Sequence, residues 1–314
     1  MHTNTKQQVD FSYFFDTIPA SKEVIMYTDE MLIQFTKPIS DKEEEKAQHS
    51  IKMVQEAIDQ YDWSSANLPT PSVNLKGSYN NDTNIREDSD VDIYVLFSDS
   101  YLVNRTTQDK SLHHTGGSGK APILYRNNLA QALINRFGSD NITRGNKSFK
   151  IRGTQYKHQT DVVCAFVAND ESGDKKHQGI CLVPDKTPDG LFHLIINYPE
   201  QDTYNGKQLN AHSDYYYKKI VRILKGIRND LNLSTPSFLI ECLVSNVDPL
   251  ILSDNTKDYR GKVLAVIDNL IPRLRFPDSL KEVNGIKPLF HEKQKWGSDT
   301  SIALNFLNNV KVNI

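Results

Sequence analysis

Leu75-Lys76-Gly77-Ser78 and, after a gap of eleven residues, Asp90-Val91-Asp92-Ile93 are the segments that decide the fold of this chain. They predict a strand that ends in a Gly-Ser turn and a second strand that carries two carboxylates. Asp90 and Asp92 are two positions apart, so in a strand they point to one face of the sheet, and the alternate residues Val91, Ile93 and Val95 point to the other face, into a core. Two adjacent carboxylates repel each other and lose hydration, and a divalent cation is the usual partner of such a pair.

The turn and a third carboxylate support a metal and phosphate site. Gly77 would let the backbone approach a triphosphate, and the Ser78 hydroxyl would hold its oxygens. Asp161 opens the apolar run 161–167, whose β-branched residues predict another strand. If this strand lies beside the first carboxylate pair, three carboxylates converge and can hold two metal ions around a phosphate undergoing in-line displacement. The alternative, solvated carboxylates on an edge strand, fits the combination of motifs less well.

The stretch Gly77-Ser78-Tyr79, followed by Thr83-Asn84-Ile85 and Ser89-Asp90-Val91-Asp92, resembles the DNA polymerase beta-like nucleotidyltransferases. More narrowly, it is similar to the bacterial cGAS/DncV-like nucleotidyltransferases (CD-NTases), relatives of cyclic GMP-AMP synthase and oligoadenylate synthase. The resemblance extends over most of the chain. It implies an α+β protein in which a polymerase beta-like core, a mixed sheet with flanking helices, faces a C-terminal helical lobe across an active-site cleft.

The resemblance also implies roles for the motif residues. Asp90, Asp92 and Asp161 would be both catalytic residues and metal ligands, holding two Mg²⁺ ions, with Mn²⁺ as a possible substitute. Gly77 and Ser78 would bind the substrate.

The pattern along the chain, taken with the resemblance, implies three regions. These are an N-terminal region with a spine helix at 1–62, a nucleotidyltransferase core at 63–200 and a helical lobe at 201–314. Residues 21–62 are predicted to be helical, with Ser40 and Glu43 forming a capping box. Strands are expected near 72–76, 89–97, 147–152, 160–168, 179–183 and 191–196, and later helices near 121–137, 213–231, 236–247, 257–271 and 299–310. The loop 115–120 lacks two of the residues that a P-loop requires and is predicted to be mobile.

Composition limits the possible partners. The chain has 314 residues, of which 38% are apolar and 24% charged, enough for one bilobed unit. Its net charge of −2 favours free nucleotides over a long nucleic acid as substrate, since proteins that grip long nucleic acids usually carry a basic excess. No apolar run near membrane length and no N-terminal apolar segment is present, and the three cysteines lie in apolar surroundings. These features predict a cytoplasmic protein with reduced, buried thiols and no membrane partner.

Three further residues are candidate substrate contacts. Spacing places Lys225 on a helical face with Lys218, where a solvated basic face is an equally good interpretation. The resemblance assigns Lys225 to the triphosphate, because family members carry a lysine on such a helix.

Ser237 and Phe238 open the next helix, where Thr235 is the predicted cap and Pro236 the first helical residue. A Ser-aromatic pair at a comparable helix start in the animal enzyme contacts the triphosphate and stacks on the base. Core packing remains the favoured interpretation of Phe238.

Lys147, Lys150 and Arg152 follow one strand, and the sequence does not decide whether they face the cleft or solvent.

The resemblance therefore predicts a metal-dependent nucleotidyltransferase that releases pyrophosphate and makes a cyclic oligonucleotide second messenger. The favoured product is a purine cyclic dinucleotide made from ATP, GTP or both, acting in bacterial antiphage (CBASS) signalling through a product-activated effector protein. One alternative is linear nucleotidyl transfer to a nucleic acid or protein. Another is an inactive nucleotide-binding protein. Base choice, linkage, ring size, activating signal and oligomeric state are left open by the sequence.

Overall fold

The computed structural model describes residues 26–85, 90–103, 113–171, 176–185, 195–291 and 296–314. Within these ranges a mixed sheet is combined with a C-terminal set of helices, so the predicted α+β class is confirmed. The N-terminal residues 1–25, most of the predicted turn at 172–176 and the start of the predicted strand near 191–196 lie outside the described residues.

Eight strands form one sheet in the described part of the chain. They are β1 Ser72–Lys76, β2 Val91–Val103, β3 His113–Gly116, β4 Ile142–Arg144, β5 Ser148–Ile151, β6 Thr160–Asp170, β7 His177–Leu182 and β8 Ile195–Asn197. The central order is β1-β2-β6-β5-β4, with β3 beside β2, β7 beside β6 and β8 beside β7. Only β2 and β6 run parallel among these described pairs, which brings the two predicted carboxylate strands together as the sequence indicates.

Alternation along β2 and β6 separates a core face from a functional face. Ile93 and Val162 belong to the large core beneath the sheet, which packs against α2 (Asp41–Asp59) and α4 (Pro122–Phe137). Asp92 and Asp161 point to the other face because neighbouring residues of a strand alternate. Further along that face a small apolar cluster forms around Tyr94. The carboxylates therefore lie at the edge of a packed surface.

The described part of the predicted helical region 21–62 is not one continuous helix of the kind that the resemblance implies. It forms two helices, α1 (Asp29–Thr36) and α2, which are separated around Pro38. Proline disfavours helical geometry in the residue before it, and Ser40 then starts a new helix. The predicted capping box is confirmed: Ser40 Oγ accepts from Glu43 N, and the Glu43 carboxylate accepts from Ser40 N at 3.0 Å. α2 packs on the sheet, whereas α1 packs on the helical lobe.

The predicted loop at 115–120 is wrong in its first residues, since Thr115 and Gly116 belong to β3. Backbone pairing with Ser100 and its neighbours in β2 forms this strand, and no local apolar pattern signals it.

The helical lobe contains two helices more, in the described residues, than the four that the pattern predicts. Its helices are α5 Pro199–His212, α6 Tyr216–Asp230, α7 Ser237–Ser245, α8 Pro249–Leu252, α9 Tyr259–Arg273 and α10 Ser301–Asn313. The two that the pattern does not predict are α5, which buries only Gly206 and has no apolar stripe, and the four-residue α8. α7 begins one residue later than predicted, because Pro236 is its N-cap and Ser237 its first residue.

The three cysteines are buried and free, as predicted. Among the helices of the described ranges, none combines the length and apolar character needed to cross a bilayer.

Candidate active site

Four charged side chains form a row across four neighbouring strands. Lys76 at the end of β1 pairs with Asp92 in β2, Asp92 with Asp161 in β6, and Asp161 with Lys150 in β5. Directly paired residues project to the same face of a sheet. The row therefore reads lysine, aspartate, aspartate, lysine, with the two carboxylates adjacent and a cation on either side.

Burial raises the pKa of both carboxyl groups in the row. For Asp92 the nearby charges of Asp90 and Glu241 raise the pKa further, while Lys76, whose Nζ lies 3.7 Å from Asp92 Oδ1, opposes the shift. These effects mark a site where negative charge accumulates and where a cation would be stabilised.

Asp161 shows the same pattern and one additional feature. Burial, Asp92 and Asp90 raise its pKa, and Lys150 opposes the shift. Its Oδ1 atom is buried and finds no hydrogen-bond donor among the described residues. A buried carboxylate oxygen without a donor is costly, and such atoms usually have a functional explanation.

Asp90 lies next to the row but is directed elsewhere. It is exposed, and its Oδ2 accepts a hydrogen bond from Gln159 Nε2 at 2.9 Å. Across the described ranges, no three His, Cys, Asp or Glu side chains stand arranged as a ready-made metal cluster. The convergence of all three predicted carboxylates on a metal thus stays a prediction. The donor atoms that Asp92 and Asp161 bring together, paired carboxylate oxygens with one lacking a partner, fit a hard cation such as Mg²⁺.

Gly77 explains how the Gly-Ser segment approaches this row. It has a φ of 70° and starts a short helix, α3 (Gly77–Asn81). A Cβ atom added at Gly77 would lie 2.5 Å from Asp92 Oδ2. Only glycine accommodates both this backbone conformation and this contact. Ser78, half-buried, follows directly, so the predicted substrate-binding pair lies beside the carboxylates.

Lys225 has a structural partner, Glu241, that the sequence pattern did not predict. Its side chain is 2% exposed, and its Nζ donates to Glu241 Oε1 at 2.5 Å and to the Thr83 carbonyl at 2.9 Å. Thr83 Oγ1 also donates to Glu241. Burial lowers the pKa of Lys225, and the charge of Glu241 opposes that shift. The contact with a triphosphate predicted for Lys225 remains a prediction, because here its ammonium joins α6 and α7 to the segment after α3.

The rest of the basic face of α6 also holds this segment. Lys218 Nζ lies 3.3 Å from Asp82 Oδ2, and Arg222 donates to the Asp82 carbonyl at 2.8 Å. The face is therefore used to fix the segment that follows the Gly-Ser pair and is not simply solvated.

Ser237 and Phe238 are the first two residues of α7. Ser237 Oγ accepts a hydrogen bond from Arg228 Nη1 at 2.8 Å. Phe238 packs against the helical core, with its ring centroid 6.4 Å from that of Trp296. The structure thus agrees with core packing for Phe238, and the nucleotide contacts of both residues stay predictions.

Comparison with known proteins covers both parts of the chain. A family model of the cGAS/DncV-like nucleotidyltransferase C-terminal helical domain matches residues 204–312. The cyclic GMP-AMP synthase CdnE03 of Staphylococcus schleiferi is 31% identical, over 91% of this chain and 96% of the relative. The cyclic dipyrimidine nucleotide synthase CdnE of Legionella pneumophila is 33% identical, over 84% of this chain and 90% of the relative.

A solved structure shows the same fold. The CdnE cyclic dinucleotide synthase of Elizabethkingia meningoseptica, solved with GTP and Apcpp, superimposes with a TM-score of 0.72 at 25% identity, over 90% of this chain and 97% of that one. Sequence identity of 31% over 91% of the chain extends the relationship from the helical lobe into the sheet that carries Asp92 and Asp161. The chain therefore belongs to the cGAS/DncV-like nucleotidyltransferase family and is an enzyme of the nucleotidyltransferase class.

Proposed function

We propose that this enzyme joins nucleoside triphosphates into a cyclic oligonucleotide and releases pyrophosphate at each step, with a purine cyclic dinucleotide as the favoured product. The observation that carries the proposal is the adjacent pair of half-buried carboxylates, Asp92 and Asp161, one with an unpartnered oxygen. Asp92 lies against Gly77, the glycine that starts α3. Relatives that align over most of the chain are named as cyclic nucleotide synthases, which supports the same reaction class here.

The residues around this pair have separate roles towards the donor nucleotide and the acceptor nucleotide. Gly77 lets the backbone approach the donor triphosphate, and the Ser78 hydroxyl donates to one of its oxygens. Asp92 and Asp161, with Asp90 as a third ligand, would hold two Mg²⁺ ions, and Mn²⁺ could replace Mg²⁺. When bound, the metal supplies charge neutralisation at the leaving pyrophosphate and a lower pKa for the acceptor ribose hydroxyl.

The bond changes follow from this placement. The acceptor ribose oxygen attacks the α-phosphorus of the donor, a new P–O bond forms, and the bond to the β-phosphate breaks. The pyrophosphate leaves with the electron pair, and the hydroxyl proton passes to the Asp161 carboxylate or to water. A second transfer within the linear intermediate closes the ring.

The biological role proposed for the product is that of a second messenger. It would activate a separate effector protein in bacterial antiphage (CBASS) defence. The two sequence relatives named above differ in the bases that their names specify, cyclic GMP-AMP and dipyrimidine, so base choice varies within the family. ATP and GTP are the substrates that we propose here.

The product can be identified directly. Purified protein is incubated with all four nucleoside triphosphates and Mg²⁺ or Mn²⁺, treated with phosphatase and examined by mass spectrometry. A phosphatase-resistant cyclic product supports the proposal and identifies the bases. A linear polymer or a nucleotide-modified protein as the sole product would instead establish linear transfer, and nucleotide binding without any turnover would contradict the synthase function.

A further inference from the structure

A polar cavity of about 140 Å³ opens at the Lys150 end of the charged row. Its lining consists of Asp140, Asn141, Thr143, Lys150, Arg152 and Gln159. Two contacts make it continuous with the candidate active site: Lys150 is the cross-strand partner of Asp161, and the Gln159 amide donates to Asp90 at 2.9 Å. A group bound in the cavity would therefore lie next to the carboxylate that we place at the acceptor hydroxyl.

Strand alternation brings both cations of the cavity to the face that carries Asp161. Phe149 and Ile151 of β5 are buried in the core beneath the sheet, so Lys150 and, one residue beyond the strand, Arg152 project to the opposite side. Both are exposed, and neither forms an ion pair with a carboxylate in the described part of the chain. Lys147, by contrast, precedes the strand and does not line the cavity.

The chemistry of the lining favours phosphate over a base. All six lining residues are polar or charged, and none is aromatic, whereas bound bases usually stack on aromatic side chains. Two adjacent cations match the charge of a phosphate chain. Asp140 is the single acidic residue of the lining, and it is exposed with its Oδ1 accepting from Ser139 Oγ at 3.2 Å.

The strand order indicates which phosphates these would be. Gly77 and Ser78 lie at the β1 side of the row, and Lys150 lies at the opposite, β5 side. In the proposed function, which this inference extends, the donor triphosphate is at the first side and the acceptor hydroxyl is at Asp161. The rest of the acceptor nucleotide then extends towards β5. We propose that Lys150 and Arg152 bind the 5′-phosphates of the acceptor nucleotide, with Gln159 at the entrance to this subsite.

Binding of a non-hydrolysable nucleoside triphosphate analogue, measured by calorimetry with Mg²⁺, tests the subsite. Wild-type protein is expected to bind two equivalents. Lys150→Gln and Arg152→Gln should each weaken the second equivalent about tenfold, which corresponds to about 1.4 kcal/mol, while changing the first less than about twofold. Arg152→Gln is the cleaner variant, because Lys150 also faces Asp161.

Two control variants test whether the change in affinity for the second equivalent depends on the charge of the cavity lining. Lys147→Gln removes an exposed cation outside the cavity and should leave both equivalents unchanged. Asp140→Asn removes the acidic group of the lining and should tighten the second equivalent.

Three results would overturn the subsite: a single equivalent in wild-type protein, an unchanged second equivalent in Arg152→Gln, or equal weakening of both equivalents. Failure of the proposed function is a separate result. It would be seen as the absence of a cyclic product from wild-type protein that still shows the expected binding pattern.

Discussion

Replacing Lys225 with methionine separates a structural role of this ammonium from a role in binding the triphosphate. Lys225 is 2% exposed and Glu241 3% exposed, and their charged atoms are 2.5 Å apart. Without the lysine, Glu241 is left buried without its charge partner, and the Thr83 carbonyl loses a donor at 2.9 Å. Removal of one member of a buried ion pair typically costs about 3–5 kcal/mol. This is a large fraction of a typical unfolding free energy and should lower Tm by on the order of 10 °C.

The assay is a double-mutant cycle followed by denaturant and thermal unfolding. It comprises Lys225→Met, Glu241→Gln and the double variant, which should be less destabilised than the sum of the two single changes by about 2 kcal/mol. Lys218→Met is the matched control on the same helix, since its partner Asp82 is more than half exposed and the pair is worth about 1 kcal/mol or less. A Lys225→Met protein that unfolds like wild type but loses affinity for the triphosphate would refute the structural account.

Two other substitutions test separate features: the close contact at Gly77 and the buried carboxyl group of Asp202. Gly77→Ala should reduce kcat by about a hundredfold or more and lower Tm, because the added Cβ would lie 2.5 Å from Asp92 Oδ2. Gly138→Ala is the control, since Gly138 also has a positive φ but the nearest atom to its added Cβ would be 3.9 Å away. This control should lower Tm and leave kcat unchanged. Normal turnover by Gly77→Ala would contradict the close contact. Burial and the charge of Glu282 raise the pKa of Asp202 from 3.8 to about 7. Between these two pH values the folded state keeps a proton that the unfolded state has released. The free energy of unfolding therefore falls as the pH rises from about 4 to about 7. Asp202→Asn should remove about 2–3 kcal/mol of the stability loss between pH 5 and pH 8, as measured by denaturant unfolding, and equal slopes for variant and wild type would exclude this pKa.

The parts of the fold that local patterns encode were predictable from the sequence. Alternation along β2 and β6 placed Asp92 and Asp161 on one face, and the capping box at Ser40 fixed the start of α2. Local patterns also misled where long-range contacts decide the structure. β3 forms through pairing with β2, and α5 lacks the apolar stripe that makes a helix visible in a sequence.

The candidate site likewise contains some residues that local sequence motifs predict and others whose contacts depend on the tertiary structure. The Gly-Ser segment and the carboxylates are short motifs, but the partner of Lys225 lies on another helix and depends on how α6 and α7 pack. One signal was present: Glu241 is the single charged residue of the α7 sequence SFLIECLVS, and buried charges are rarely unpaired. The direction of Lys150 followed only from its register with Asp161.

The Asp161 carboxylate serves metal and nucleotide binding and does not stabilise the folded protein; this is the central claim of the account. Burial and the neighbouring charges of Asp92 and Asp90 raise the pKa of Asp161, so its ionised form is disfavoured without metal. Asp161→Asn removes that buried charge and should melt at or above the wild-type temperature without metal. Asp268→Asn, which removes an exposed carboxylate on α9, is the control.

Thermal melting with and without Mg²⁺ and a non-hydrolysable nucleoside triphosphate analogue is the most direct measurement. At a ligand concentration of 100 times Kd, wild type and Asp268→Asn should gain about 2.7 kcal/mol, and Asp161→Asn should gain little. An Asp161→Asn protein that is less stable than wild type without metal, or that gains as much on addition of metal and analogue, would contradict the account.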